Sequence, residues 1–151
     1  MGRDIKQLKP VANGRTKQCY LDPRSCKKLY PGLNSSPIIC RSSWEKKFAL
    51  WCEQCDKVKY WGSECMTIPY TSLIDHSPHT YNPDFVVEFE NGKKWIVEIK
   101  PKSQCKRPMN QNGWLWNEYT KNMAKWSAAK RFCEDRGIEF KIFTENTIAK
   151  L

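Results

Sequence analysis

Alternating apolar and polar residues predict a β-hairpin in the middle of the chain. The apolar positions are Phe85, Val87 and Phe89 before an Asn-Gly pair, and Trp95, Val97 and Ile99 after it. Period-two alternation is typical of a strand with one buried face, and Asn-Gly is a common hairpin turn. Because both apolar sets must share one face, the register requires a three-residue loop over 90–92. Gly92 is then in the left-handed position, and Asp84 lies opposite Glu98.

The same register places Asp84, Glu98 and Lys100 together on the other, polar face of the hairpin. Two carboxylates that face each other repel, so we expect either Lys100 or a hard divalent cation between them. A bound Mg²⁺ would contact a phosphodiester oxygen and acidify a bound water, which Lys100 would orient or deprotonate. The simpler interpretation is a charged outer face in which Lys100 pairs with Glu98. The pattern alone leaves both interpretations open.

Apolar periodicity of about 3.6 residues predicts a helix over 42–56 and another over about 117–136. A strand is expected at 65–69, followed by a loop at 74–80, and a last strand is expected at 138–143. The order is therefore helix, strand, hairpin, helix, strand. This order predicts an α/β domain with a mixed central sheet flanked by helices.

Glu45 stands three residues after Ser42 at the start of the first predicted helix. This spacing is typical of a capping box, in which the carboxylate accepts a hydrogen bond from a free backbone amide. Glu45 also lies at the edge of the predicted buried face, where it would add a further carboxylate to a metal site. The two roles are compatible.

Composition indicates one domain with a basic arm. The 151 residues, 40% of them hydrophobic, suffice for a single core. Residues 1–40 are rich in proline, turn-forming and basic residues, and predict an irregular arm packed on or extending from a domain over 41–151. The net charge is +10: Lys and Arg against Asp and Glu number eleven to three in 1–50, five to eight in 51–100, and ten to five in 101–151. Basic flanks around an acidic centre favour a DNA-binding protein that applies metal chemistry.

Several other functional classes are disfavoured. No apolar run approaches the ~20 residues needed to cross a bilayer, and the basic N-terminus lacks the apolar core of a signal peptide, so we expect a soluble protein that is not secreted. The one C-x-x-C pair, Cys52 and Cys55, falls inside the first predicted helix. We therefore expect reduced thiols and no structural zinc. No small-molecule cofactor is expected.

Basic and polar residues near the hairpin are candidates for contacting DNA phosphates. They are Lys102, Gln104, Lys106 and Arg107 in the loop after the hairpin, Lys121 and Lys125 as an exposed stripe on the long helix, and His79 shortly before Asp84.

Three segments carry a family resemblance: Arg41-Ser-Ser-Trp-Glu45, His79-Thr-Tyr-Asn-Pro-Asp-Phe85 and Val97-Glu-Ile-Lys-Pro101. Together they resemble the PD-(D/E)xK nuclease superfamily and, within it, the TnsA-type transposon-end endonucleases. With its short length, its basic arm and these motifs, the sequence most resembles the head completion nucleases of T-even-type tailed bacteriophages. The resemblance covers roughly residues 41–146.

The resemblance implies a restriction-endonuclease-like αβββαβ core. It implies Asp84, Glu98 and Glu45 as ligands of Mg²⁺, with Mn²⁺ as a substitute, and Lys100 as the catalytic lysine. The implied activity is DNA hydrolysis during phage head completion before head–tail joining. That activity would take place in the host cytoplasm or in association with the virion, with phage head or neck proteins as partners. The alternatives are a strand-specific, TnsA-like endonuclease subunit of a recombination system, and a non-catalytic DNA-binding virion assembly protein.

Overall fold

The computed structural model describes residues 18–33 and 36–151 in full and the backbone of residues 7–11. Within these ranges the elements are β1 (Gln7–Val11), β2 (Gln18–Leu21), β3 (Ile38–Cys40), α1 (Ser43–Gln54), β4 (Val58–Ser63), β5 (Ile68–Thr71), β6 (Pro78–Tyr81), β7 (Phe85–Phe89), β8 (Lys94–Ile99), α2 (Trp114–Glu134), β9 (Glu139–Phe143) and α3 (Glu145–Ala149).

A four-stranded mixed sheet with the order β4-β7-β8-β9 forms the centre of the molecule. Strand β7 is antiparallel to both β4 and β8, whereas β9 runs parallel to β8. A parallel neighbour requires a long crossover, which α2 supplies. The chain therefore follows the order α1-β4-β7-β8-α2-β9, and the predicted αβββαβ core with a mixed sheet is confirmed.

The predicted register of the central hairpin is confirmed. Phe85 pairs with Val97. At the turn the backbone N–H of Phe89 donates to the carbonyl of Lys93 at 2.8 Å, which closes a loop of residues 90–92. Gly92 has φ +88°, the left-handed conformation that this loop requires. Continuing the pairing by one residue beyond Phe85 places Asp84 opposite residue 98.

Both faces of the central sheet are covered, which corrects the expectation of a polar outer face. On one face Phe48 of α1 packs on Phe85, with ring centroids 4.7 Å apart. On the other face Ile96 is fully buried in a second cluster with Trp126 of α2. Glu98 shares the face of Ile96 and is only 6% exposed. Glu98 thus lies beneath a helix instead of at an open surface.

The first strand of the central sheet lies at Val58–Ser63, whereas the strand expected at 65–69 is found at Ile68–Thr71, as β5, outside the central sheet. An irregular pairing between Val58 and Tyr60 interrupts the ladder. The buried side chains Val58 and Trp61 are therefore three residues apart, and the strand lacks period-two alternation. The predicted loop at 74–80 is also corrected, because β5 and β6 pair as a separate hairpin.

Helix α2 begins at Trp114, three residues earlier than predicted. Its first turn carries Trp114 and Leu115 as exposed side chains, so the apolar periodicity that reveals a buried helical face is absent there. Gly113, with φ +88°, precedes the helix. Among the described helices, α2 included, none combines the length and apolar character that crossing a membrane requires.

The described part of the predicted arm is more regular than its turn-rich sequence indicated. Strands β2 and β3 pair with each other, and Leu21 is fully buried in the core next to α1. Glu53 of α1 accepts hydrogen bonds from the backbone N–H groups of Lys27 at 2.7 Å and Lys28 at 2.9 Å, and from the Trp61 indole at 2.8 Å. One buried carboxylate therefore connects the segment after β2 with α1 and β4.

Candidate active site

The central hairpin brings three of the predicted site residues together at one end of β8. Asp84 Oδ2 accepts a hydrogen bond from the backbone N–H of Ile99 at 2.8 Å. The Lys100 ammonium lies 3.8 Å from Glu98 Oε1. The backbone N–H of Lys100 donates to the carbonyl of Phe143 at 2.9 Å, so β9 holds the lysine backbone in place.

Helix α1 brings Glu45 toward the same group. The Ser42 hydroxyl accepts a hydrogen bond from the backbone N–H of Glu45 at 3.3 Å and lies 3.4 Å from the Glu45 carboxylate. Phe48, one turn further along, packs on Phe85 and fixes α1 against the hairpin. The Glu45 charge raises the pKa of Asp84, after the larger effects of burial and of the Glu98 charge. Glu45 therefore both belongs to the helix cap and interacts with the acidic site.

The three carboxyl groups share raised pKa values, mainly because they are buried. Burial raises the pKa of Asp84, and the charges of Glu98 and Glu45 raise it further, against the effect of the Ile99 N–H. Burial also raises the pKa of Glu98, opposed by the Tyr81 hydroxyl and Lys100. The pKa of Glu45 rises to about 7. The site therefore groups three carboxyl groups whose charged forms are destabilised by burial.

The donor atoms of this site suit a hard divalent cation. Asp84 Oδ2 is committed to a backbone amide, while Oδ1 makes no hydrogen bond to the described part of the chain. Within the described ranges no three His, Cys, Asp or Glu side chains form a ready-made ion site. An ion held by Asp84 and Glu98 would therefore complete its coordination with water and phosphate oxygens, as Mg²⁺ commonly does. The residues present fit such an ion.

We expect the metal-free protein to lose stability as the pH rises from about 5 to 8. The folded pKa of Glu45, about 7, exceeds its ordinary value of 4.5, so between these values the folded state binds more protons than the unfolded state. The stability present at low pH is therefore lost as the group ionises, on the order of 3 kcal/mol for Glu45 alone. Urea unfolding in EDTA at several pH values measures this loss.

Two controls accompany the stability measurement. Glu45→Gln should make the pH profile less steep, because the amide does not titrate while Asp84 and Glu98 still do. Added Mg²⁺ should flatten the profile of the unaltered protein. A free energy of unfolding that stays constant or increases between pH 5 and 8 in EDTA would contradict the expectation.

Tyr81 is a site residue that the sequence analysis missed. Its buried hydroxyl donates to Glu98 Oε2 at 2.5 Å, and the Lys125 ammonium lies 5.5 Å from the centre of its ring. Tyr81 belongs to β6, so the periodicity of the central hairpin gives no indication of this contact. The one sequence feature that could have indicated Tyr81 is its position within the family-like segment from His79 to Phe85.

Lys125 is half-buried next to the site, and the prediction that it lies on an exposed stripe is wrong. Burial lowers its pKa, the positive charges of Lys121 and Lys100 lower it further, and the Glu98 charge opposes the change. Lys121, one turn earlier, is exposed as predicted. The difference arises because α2 directs the side chain of Lys125 toward the sheet.

The loop after β8 exposes four of the residues predicted to contact DNA. They are Lys102, Gln104, Lys106 and Arg107. The Arg107 guanidinium lies 5.4 Å from the centre of the Trp116 ring. Because the loop starts at Lys100, it leads directly away from the acidic site, and its role toward DNA remains a prediction.

His79 is held within the β5–β6 hairpin. Its Nε2 lies 2.9 Å from Asp75 Oδ2 and 3.1 Å from the Ser77 hydroxyl. Asp75 and Ser77 therefore contact the same ring nitrogen of His79. In a hydrolase triad the aspartate and the serine contact opposite ring nitrogens, so these three residues do not form one. The contact of His79 with DNA remains a prediction.

Glu64 and Arg41 form a second group that the sequence analysis missed. Glu64 has φ +47°, unusual for a residue other than glycine, and its backbone N–H donates to the Asp84 carbonyl at 3.0 Å. Its carboxylate lies 3.0 Å from the Arg41 guanidinium. The Glu64 charge raises the pKa of Glu45, and that of Arg41 lowers it. This ion pair therefore borders the acidic site on the side of α1.

Comparison with known proteins identifies the family of the chain that carries this site. Residues 55–145, which include Asp84, Glu98 and Lys100, match the model of the TnsA-like endonuclease N-terminal domain. The head completion nuclease of Enterobacteria phage T4 is 32% identical over 124 residues, which cover 76% of this chain and 83% of that protein. The residues that match the family model, 55–145, include the whole central sheet and α2. The chain belongs to the TnsA-like endonuclease family.

Proposed function

We propose that this protein is a metal-dependent deoxyribonuclease that hydrolyses phosphodiester bonds during phage head completion, before heads join tails. The observation that carries the proposal is the meeting of Asp84, Glu98 and Lys100 at one end of the hairpin, in a member of an endonuclease family. Mg²⁺ is the proposed ion, and Mn²⁺ is the proposed substitute.

Asp84 and Glu98 would hold the ion. When bound, it supplies positive charge to the phosphoryl oxygens and lowers the pKa of a coordinated water. Glu45, whose charge acts on Asp84, would contribute through that water shell. The Lys100 ammonium, 3.8 Å from Glu98 Oε1, is placed to orient the attacking water and to offset charge in the transition state.

Tyr81 would position Glu98. Its hydroxyl occupies Oε2 of that carboxylate, so Oε1 is the oxygen that faces Lys100. A hydrogen bond that orients a metal ligand is a common feature of metal sites. Lys125, half-buried between Tyr81 and Lys100, would add a second positive charge where the phosphate enters.

Positive residues next to the site would hold the DNA backbone. Lys102, Lys106 and Arg107 follow Lys100 along the chain, and Lys121 is exposed on α2. Contacts between lysine or arginine and phosphate attract DNA without reading its sequence, and they weaken as salt increases. DNA bound along this surface would pass the acidic site.

The assembly role rests on the relative from phage T4, which carries the name head completion nuclease and is covered over 83% of its length. By analogy, the protein would act in the host cytoplasm or on the assembling virion, and would contact phage head or neck proteins. DNA left at the opening of a filled head is a substrate that a nuclease of this kind could trim.

We expect purified protein to degrade linear and supercoiled DNA with Mg²⁺ or Mn²⁺, and to leave both intact in EDTA, because phosphodiester hydrolysis here needs the charge of the ion. Gel analysis of end-labelled DNA follows the reaction. Binding at low salt with intact DNA under both metals would overturn the proposal and favour a non-catalytic DNA-binding assembly protein.

The family match itself favours a second candidate, a TnsA-like subunit that cuts one strand at defined ends. Such an enzyme would give discrete products and would depend on a partner recombinase. Random nicking by the isolated protein would count against it.

A further inference from the structure

A cavity of about 390 Å³ lies beside the proposed active site, between the loop after β8 and the first three turns of α2. Its walls include Gln104, Lys106, Trp114, Tyr119 and Asn122. None of the proposed catalytic steps uses this space. Its volume falls within the range of small-molecule sites and exceeds the space that one or two waters fill.

Asn122 is the first indication of what the cavity holds. The residue is only 5% exposed and lines the cavity. Its side chain makes no hydrogen bond to the part of the chain that the structure describes. Its amide atoms are not fully shielded from solvent, so they face the cavity, where water or a ligand can hydrogen-bond to them. The amide offers both a donor and an acceptor, the combination that matches the edge of a nucleobase.

Aromatic side chains are the second indication. Trp114 lines the cavity and is 71% exposed, which is unusual for tryptophan in a folded domain. Tyr119 forms another part of the wall, and its ring lies 5.8 Å from that of Trp116, over which Arg107 lies. Aromatic side chains with neighbouring cations are the usual platform on which unpaired bases stack. The cavity thus combines a stacking surface with a polar edge.

The position of the cavity links it to the cutting site. Asn122 precedes Lys125 by three residues, or about 4.5 Å along the helix axis. The pKa of Lys125 responds to the charges of both Glu98 and Lys100. Gln104 and Lys106, on the opposite wall, belong to the loop that begins at Lys100. The cavity and the acidic site are therefore neighbours on the same side of the sheet.

We propose that this cavity holds an unpaired nucleobase of the DNA strand being cut, stacked on Trp114 and hydrogen-bonded to Asn122. This proposal rests on the proposed nuclease function and names its substrate class. A base inside an intact duplex is paired and stacked, and must leave the helix to enter a pocket. DNA with single-stranded, frayed or mismatched nucleotides is therefore the favoured substrate. Lys106 would pair with the phosphate of this nucleotide, and the aromatic wall favours a base over an acidic peptide.

The first test measures binding in EDTA, where no cleavage interferes. A duplex with one unpaired 2-aminopurine is titrated with the full-length protein, and a fully paired duplex of the same length serves as reference. We expect the fluorescence of 2-aminopurine to fall as the base stacks, and the mismatched duplex to bind about tenfold more tightly than the paired one.

Substitutions then locate the site. Trp114→Ala and Asn122→Ala should each remove most of this preference and leave binding of the paired duplex within about twofold. Leu73→Ala removes another exposed apolar side chain, at the β5–β6 hairpin, and should change neither the preference for the mismatched duplex nor the binding of the paired one. Free deoxyadenosine monophosphate should compete with the mismatched duplex only at millimolar concentration, which separates a base within DNA from a free nucleotide as the natural ligand.

Cleavage with Mg²⁺ separates failure of this proposal from failure of the nuclease function. If both duplexes are cut equally by the unaltered protein and by both variants, and the fluorescence does not change, the cavity proposal is overturned and the nuclease remains. If neither duplex is cut but the fluorescence falls and Trp114→Ala abolishes the fall, the base site stands and the nuclease function fails. Tight competition by micromolar free nucleotide would also overturn the proposal.

Discussion

Replacing Asp84 with asparagine should slow DNA cleavage by a factor of at least about 1,000, and should at the same time stabilise the metal-free protein. The asparagine oxygen can still accept the hydrogen bond from the Ile99 N–H, so the local backbone is preserved. The loss of activity follows because the ion loses a charged ligand. The gain in stability follows because the buried repulsion of Asp84 with Glu98 and Glu45 disappears.

Two measurements check this expectation on the same preparations. Initial cleavage rates are taken at saturating Mg²⁺, and urea unfolding is followed in EDTA at pH 8, where the carboxyl groups of the unaltered protein are most fully ionised. Asp56→Asn changes an exposed aspartate between α1 and β4 and should affect neither rate nor stability. An Asp84→Asn protein that still cuts DNA at a normal rate would refute the assignment of the site. A variant that loses activity through unfolding would indicate a structural role only.

Replacing Lys100 with methionine should reduce the cleavage rate at saturating metal about 100- to 10,000-fold, the usual contribution of a positioned proton-transfer group. The methionine side chain is comparable in length and can occupy the same space without the charge. Metal affinity should not fall, because the ammonium opposes the charges of Glu98 and Asp84 that would hold the ion. A loss of rate without a loss of metal binding would distinguish a catalytic lysine from one that merely completes the fold.

Lys102→Met provides a matched control, since Lys102 is an exposed lysine two residues further along the same loop. It should raise the DNA concentration needed for half-maximal rate, with a reduced dependence on salt, and leave the maximal rate nearly unchanged. Calorimetric titration with Mn²⁺ measures metal affinity for both variants. Equal maximal rates for Lys100→Met and Lys102→Met would show that Lys100 has no special role.

The central hairpin could be predicted in detail because its register depends on local information. Period two fixes which side chains share a face, and Gly92 supplies the conformation that a three-residue loop needs. Asp84, Glu98 and Lys100 followed from that register alone. By contrast, β4 was missed because an irregular pairing near Val58 removes the alternation on which strand prediction depends.

The remainder of the site depends on contacts between elements that are distant in sequence. Tyr81 reaches Glu98 from a separate hairpin, and Glu64 reaches Arg41 across 23 residues. Lys125 appeared exposed because nothing in the pattern of α2 shows which of its polar side chains the sheet covers. Burial of Glu98 was missed for the same reason, since it results from α2 docking on the face that the hairpin alone leaves polar.

The three-residue loop of the hairpin also bears on how the molecule assembles. It brings Asp84 and Glu98 together through local pairing, at a stage when water and salt would still screen their repulsion. The repulsion becomes costly only when α1 and α2 dock and remove the solvent, so the penalty falls on the late, non-local steps of folding. A cation held between the carboxylates would therefore favour docking of the helices on the sheet. The ion that the chemistry needs would then also stabilise the folded state.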